Sequence, residues 1–321
     1  MTRWVAVLLA AFTRRFMCRE KRVSAAGRLL RAAVFLGPFS LVYALLRYHV
    51  LITGRPVVFE AAAGPGFRFR CRLPDLIQTY IYFFGIWEPD VTAFIRRRLA
   101  AGDTFIDIGA NVGYHTLLAA GLVGDTGRVV AIEASPANFQ ALQENLALND
   151  DPESVRTVNR AAADVAGAVS IFSGPVHNVG LATTVESRGL PLEAEVAAAP
   201  LADLLEPQEA GAARLVKIDV EGGEDLVIRG MAEFLTRCRD DVEILLELSP
   251  RWWADRRQTA QQVLQPLFDA GFHVYRIDNN LWPWRYLWPN DVRSPRGLSN
   301  LPTRRLKRVD LVLSRVEQEE L

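Results

Sequence analysis

The chain has 321 residues, half of them hydrophobic and 23% charged, with 37 basic and 37 acidic side chains that cancel formally. That is the composition of a packed protein large enough for one sizeable α/β domain plus an appendage, and a zero net charge offers no general attraction to nucleic acid. The three cysteines, Cys18, Cys71 and Cys238, form no CxxC pair, and the four histidines show no HxxxH spacing. A disulfide framework, a zinc site and a histidine-rich metal centre are therefore not expected, and a reducing, cytoplasmic setting fits.

The charge is unevenly placed. Between Arg3 and Arg31 lie many Arg and Lys but a single acid, Glu20, beside two apolar runs at 4–12 and 32–46. The first run is followed by Arg14-Arg15 with no small-residue cleavage site, which disfavours a secretory signal. The second contains Gly37-Pro38 and is too short to span a bilayer comfortably. Residues 1–55 are expected to form a helical pair packed on the main domain, with peripheral contact to an anionic membrane surface as the alternative.

Residues 56–100 lead into the core. Alternation around Gly64-Pro65-Gly66 predicts a hairpin, and 75–84 and 89–99 read as helices, the second with Pro89 in its first turn. From 101 to 316 the pattern becomes regular. Strands are predicted at 104–108, 128–132, 155–159, 169–172, 215–220, 242–248, 272–277 and 309–313, the last closing the sheet. Helices are predicted at 114–122, 136–148, 224–235 and 258–270; Ser135 is a natural N-cap and Pro136 takes the first helical position. The Ala/Glu/Pro-rich stretches 190–200 and 207–213 read as surface loops or a small insertion. Alternating strands and helices predict a doubly wound α/β fold, a mostly parallel sheet with its ligand at the carboxyl ends of the strands.

The first strand ends in Asp107-Ile-Gly-Ala-Asn-Val-Gly113. A glycine-bearing turn here lets backbone N–H groups approach a ligand. A dinucleotide fingerprint would need glycine where Asn111 and Tyr114 stand, so the acid-x-Gly-x-x-x-Gly spacing better suits a cofactor without a pyrophosphate, whose cationic head Asp107 can face. Asn111 can adopt left-handed backbone that most residues avoid. Glu133 ends the second strand 24 residues after Gly109, where a carboxylate can accept hydrogen bonds from both ribose hydroxyls.

Four segments carry a resemblance: YFFGIWEP (82–89), FIDIGANVGYHT (105–116), AIEASPANFQALQENLALN (131–149) and LVKIDVEGGEDLVIRGM (215–231). Over roughly residues 80–315 the chain resembles the FkbM-type methyltransferases. The resemblance implies a Rossmann-like class I methyltransferase with a seven-stranded sheet, its last strand antiparallel, and S-adenosyl-L-methionine as donor. It further implies O-methylation of hydroxyls on sugars, glycolipids or other natural products, so the partner is a small-molecule or glycan acceptor. Asp107, Gly109, Asn111 and Gly113 would line the methionine end of the donor, Glu133 would hold the ribose, and Asp164 would sit near the adenine amine. The family usually has proline directly after the strand-two acid; here Ala134 stands there and the proline comes at 136.

An alcohol acceptor must lose its proton, so a base at the strand ends should help. Asp219 and Glu221 alternate onto one side of an extended segment, and Glu224 starts the next helix. Three acids so close could position a hydroxyl or bind Mg²⁺ through oxygen ligands, although no metal ligand is assigned. Glu247 near the end of the next strand could face the same cleft, and His177, in a glycine-bounded segment, is a candidate base. His115 is expected to pack behind the cofactor turn. Trp282, Trp284 and Trp288 could cover a sugar or apolar substrate, or simply pack on the sheet edge. Two other functions fit the same elements less well: a nicotinamide oxidoreductase, which lacks its glycines and a Ser/Tyr/Lys set, and a non-catalytic adaptor, which would not need Glu133 or Asp219.

Overall fold

The computed structural model describes residues 2–17, 25–64, 66–174, 178, 180, 182–253, 255, 257–287, 293–298, 301 and 308–321. The chain divides into two compact units, one formed by Met1–Thr92, Pro175–Gly180 and Asn279–Val292, the other by Ala93–Gly174, Leu181–Asp278 and Arg293–Leu321.

The first unit begins with α1 (Thr2–Met17), then α2 (Ala25–Val34) and α3 (Ser40–Thr53), which a five-residue π-helical turn, Phe35–Phe39, joins without a break. The apolar run 32–46, expected to be too short to span a bilayer comfortably, is instead part of one helix, Leu30–Thr53, 24 residues long and apolar enough by length and composition to cross a membrane. Proline lacks an N–H and its ring collides with the carbonyl four residues back; the wider π-turn accommodates both. The added residue also sets the buried face, which runs Val34, Phe39, Val42, Leu46. The hairpin β1 (Val57–Ala63) and β2 (Phe67–Leu73) pairs as expected, and α4 (Leu76–Phe84) starts at Asp75, whose side chain accepts from Gln78 N. Arg14 ties α1 to this layer, donating to the carbonyls of Tyr82 and Ala62 at 2.7 Å each. α5 (Pro89–Arg98) follows.

The second unit is built on an eight-stranded sheet. Its members are β3 (Thr104–Ile108), β4 (Arg128–Ile132), β5 (Val155–Val158), β9 (Ala213–Ile218), β10 (Glu243–Leu248), β11 (His273–Ile277), β12 (Arg296–Gly297) and β13 (Val309–Ser314). The order is β12-β11-β13-β10-β9-β3-β4-β5. β5, β4, β3, β9 and β10 run parallel, and β13 inserts antiparallel between β10 and β11. The expected seven-stranded sheet with its last strand, β13, antiparallel is thus present, and the two-residue edge strand β12 joins it as an eighth. β3 and β10 are buried at every residue because helices cover both faces, which is why they read as continuous apolar runs.

Three local expectations change. The segment 190–200, expected as a surface loop or a small insertion, contains β8 (Leu192–Ala199), which pairs antiparallel with β7 (Gly167–Phe172) and parallel with β6 (Ala161–Ala162) in a separate three-stranded sheet. Its Leu-Glu-Ala-Glu-Val-Ala-Ala-Ala sequence buries only small residues, Ala198 against Ala161 and Ala163, so no strong apolar alternation marks it. β7 therefore leaves the central sheet as well. The segment 207–213 holds a short helix, α9 (Pro207–Ala212), fixed by a reciprocal capping box between Glu206 and Glu209, after α8 (Leu201–Leu204). Finally, the helix expected over 224–235 is two helices, α10 (Glu224–Arg229) and α11 (Ala232–Arg237). They meet at Gly230, where a Cβ would lie 1.9 Å from the carbonyl oxygen of Ala163.

Candidate active site

The carboxyl ends of three adjacent strands are in register: Ile108 pairs with Ile132 on one side and Ile218 on the other. Loops leaving β3, β4 and β9 therefore start side by side. Gly109 N and Ala110 N both donate to Ile132 O, and Asp219 N donates to Ile108 O. Gly109 has φ +78°, and a Cβ on it would sit 1.9 Å from the Asp219 carbonyl oxygen, so only glycine allows the two loops to cross this closely. Asn111 takes the left-handed conformation expected of it, with φ 52°. Gly113, φ +91°, caps α6 (Tyr114–Val123), and Leu142 of α7 (Pro136–Ala147) fills the space its side chain would need.

Glu133 stands at the end of β4 and is 6% exposed. Its Oε2 accepts from Asn111 N at 2.7 Å and its Oε1 from Ser135 N at 2.8 Å. Burial raises its pKa to about 7 even though both backbone bonds favour the charged form. The buried Oδ1 of Asn111 has no hydrogen-bond partner among the described residues. A carboxylate with free lone pairs beside an orphaned amide oxygen is an acceptor set that suits hydroxyl and amine donors of a nucleoside cofactor.

Asp107 is fully buried. Its Oδ2 accepts from Thr116 Oγ1 at 2.8 Å, and Lys217 Nζ lies 3.4 Å from its Oδ1 and 3.2 Å from Asp219 Oδ2. The cation facing Asp107 within the chain is thus Lys217, a residue the sequence reading passed over. Its period-two position before Asp219 was the available signal. His115 packs beside this group as expected; burial, and then Lys217, lowers its pKa to about 3, so it stays neutral.

The acids after β9 separate. Asp219, Glu221 and Glu247 bring carboxylate oxygens within 4.8 Å of one another. Glu224 does not join them. It is fully buried, accepting from Trp253 Nε1 and Gly222 N at 2.8 Å each, and burial raises its pKa to about 7. It orders the loop because its helix-start position turns it inward, whereas Glu247 enters from the neighbouring parallel strand. Glu221 has φ 51°, and Arg188 Nη1 donates to its Oε2 at 3.0 Å and its carbonyl at 3.1 Å while the guanidinium lies 4.5 Å from the Trp252 ring. Arg308 Nη2 lies 3.0 Å from Glu247 Oε2. Burial and then the charge of Asp219 raise the pKa of Glu221, and the same two causes raise Glu247 well above the ordinary carboxylate range.

Asp164 lies after β6 and pairs with Arg229 of α10 at 3.1 Å, an exposed ion pair whose carboxylate is 30% accessible. His177 and Trp288 lie outside the described residues. Trp282 is 71% exposed, and Trp284 lies tilted against Phe35, 5.6 Å between centroids.

The family model of the methyltransferase FkbM domain matches residues 107–274, just over half the chain. The chain belongs to the FkbM methyltransferase family. This FkbM protein is an S-adenosylmethionine-dependent methyltransferase with a Rossmann-like fold. Similar solved structures include a precorrin-6y C5,15-methyltransferase from Geobacter metallireducens GS-15, 18% identical over 71% of this chain and 90% of that one, with a TM-score of 0.39. An S-adenosylmethionine-dependent O-methyltransferase from Thermotoga maritima is 14% identical over 85% and 83%, TM-score 0.38. Fibrillarin from Aeropyrum pernix with bound S-adenosyl-L-methionine is 13% identical over 70% and 73%, TM-score 0.38. No curated protein sequence matches the chain significantly.

Proposed function

We propose that this methyltransferase transfers its methyl group to a hydroxyl oxygen of a sugar, glycolipid or other natural product. The observation that carries the reading is the convergence of Asp219, Glu221 and Glu247 at the ends of β9 and β10, beside the turn 107–113. When bound, S-adenosylmethionine supplies a methyl carbon already activated by its sulfonium. The chain then has to align an acceptor oxygen with that carbon and receive the hydroxyl proton. Glu133 and the 107–113 turn hold the donor, Asp164 stands on its adenine side, and Lys217 fixes Asp107 and Asp219. Asp219 orients the acceptor hydroxyl and Glu221 takes its proton, a role favoured by a pKa raised above that of an ordinary carboxylate. Arg188 and Arg308 already neutralise Glu221 and Glu247, so the reaction as proposed does not require Mg²⁺.

Incubation with methyl-labelled donor and a panel of sugars, glycolipids and small alcohols, with and without EDTA, tests the reading. Label should appear on an ether oxygen and survive EDTA; label found on nitrogen or carbon overturns it. Glu221→Gln should lower kcat by 10² to 10⁴, roughly the worth of a positioned base. Affinity for S-adenosylhomocysteine should change little.

Peripheral contact with a membrane through residues 1–55 belongs to the same proposal. It is supported by the basic residues there and by the apolar helix Leu30–Thr53.

A further inference from the structure

In the helix Leu30–Thr53 only 17% of the most apolar stretch is buried. One face, Val34, Phe39, Val42 and Leu46, packs inward, with the Phe39 ring edge-on to Phe83 of α4 at 5.0 Å. The opposite face is also apolar yet open: Leu36, Leu41, Tyr48, Leu51 and Ile52 are 54–81% exposed. α1, which packs on the same helix, exposes Leu8 and Phe12 at 69% and 54%. An ordinary surface helix places charge where these side chains stand. Contiguous exposed apolar surface of this kind marks an interaction site.

Charge indicates what covers it. Ten of the 37 Lys and Arg fall in residues 1–55 with one of the 37 acids, Glu20; the remaining 27 basic residues are outnumbered by 36 acids. A chain that is neutral overall is therefore cationic in its first 55 residues and anionic over the rest. Arg15, Arg47 and Arg55 are exposed there. Basic side chains can extend polar heads to the headgroup level while their stems lie along apolar surface, and each adds attraction to an anionic leaflet that salt screens. A spanning helix would have lipid on all sides, whereas this one is taken on one face by its own unit.

We propose that α1 and the helix Leu30–Thr53 form an in-plane anchor that beds their open apolar face into one leaflet of an anionic bilayer. This rests on the membrane contact proposed above and adds its geometry and lipid class; it does not depend on the methyl acceptor.

The test is co-flotation of the full chain with phosphatidylcholine vesicles and with vesicles containing phosphatidylglycerol. We expect at least fivefold more protein on the anionic vesicles, falling in 0.5 M NaCl. The variant Leu36→Glu/Leu41→Glu/Leu51→Glu alters only exposed positions; it should lose flotation while keeping the thermal shift produced by S-adenosylhomocysteine. No flotation on either vesicle overturns the membrane contact itself. Equal flotation on both overturns the anionic preference alone. Resistance to carbonate extraction means a span and overturns the in-plane geometry. A dimer at micromolar concentration that the triple variant dissolves would assign the face to a second copy and overturn the anchor.

Discussion

At the residue scale, the proposed donor site turns on groups whose burial sets their charge. Glu133 is held near neutrality at about 7, while its two backbone donors leave lone pairs for further hydrogen bonds. Hydroxyl donors of a ribose favour the charged carboxylate, so donor binding should release a proton from Glu133. Affinity for S-adenosylhomocysteine is then expected to rise with pH between about 5.5 and 7.5, by up to about tenfold per pH unit. Calorimetry across that range should show the slope in the native protein, together with weaker binding and a flat profile in Glu133→Gln. A native profile without slope would remove Glu133 from the ribose. Lys217 shows what a sequence leaves hidden at this scale: its place in Lys-Ile-Asp is visible, but that its ammonium bridges Asp107 and Asp219 depends on β3 lying beside β9.

At the element scale, glycines divide into those the fold needs and those it tolerates. Gly230 separates α10 from α11 because the Ala163 carbonyl occupies the position of a side chain. Gly121, inside α6, has nothing within 4 Å of a built Cβ. Gly230→Ala should therefore cost on the order of 2–3 kcal/mol by forcing backbone apart. Gly121→Ala should stabilise by about 0.5–1 kcal/mol through helix propensity. Urea denaturation of the two variants reads both signs, and equal effects would mean the Ala163 contact does not constrain the helix break. The same contact explains why the sequence reading ran one helix through 224–235. Glycine in a helical pattern is ambiguous, and the obstructing carbonyl comes from a different sheet some 65 residues earlier.

At the scale of the whole molecule, the acids that burial raises work against the acids that arginine pairing lowers in acid–base stability. Glu133 and Glu224, each raised to about 7, keep a proton in the folded chain that the unfolded chain has lost above about 4.5; Glu221 and Glu247 shift the same way. Their contribution therefore falls as pH rises from about 4.5 to 7. Glu209 and Asp241 are lowered, Asp241 by its bond to Arg239 and Glu209 by Arg156 against its own burial. Their contribution is complete above about 4.5 and is lost as pH falls below it. Ligand-free protein should accordingly be most stable near pH 4.5, and the urea midpoint should decline from there to about pH 7. A midpoint climbing steadily over that interval would contradict the buried-acid assignment.

Sequence alone determined the local half of this protein. Strand periodicity placed β3, β4, β9, β10 and β13 to within a residue or two, Ser135 and Pro136 fixed the start of α7, and the turn 107–113 with Glu133 was legible because adjacent βα units put those residues at consecutive strand ends. Tertiary structure decided the pairings between distant residues. β8 reads as loop until β7 pairs with it, and the acid trio takes Glu247 rather than Glu224 because β10 lies parallel beside β9 while Glu224 turns toward Trp253. The apolar run at Pro38 was legible, but not its continuity, since only the π-turn shows how the proline is carried through. In each case the deciding partner is far away along the chain. Periodicity reports which face of an element is apolar, whereas the identity of the group across from it is set by strand order.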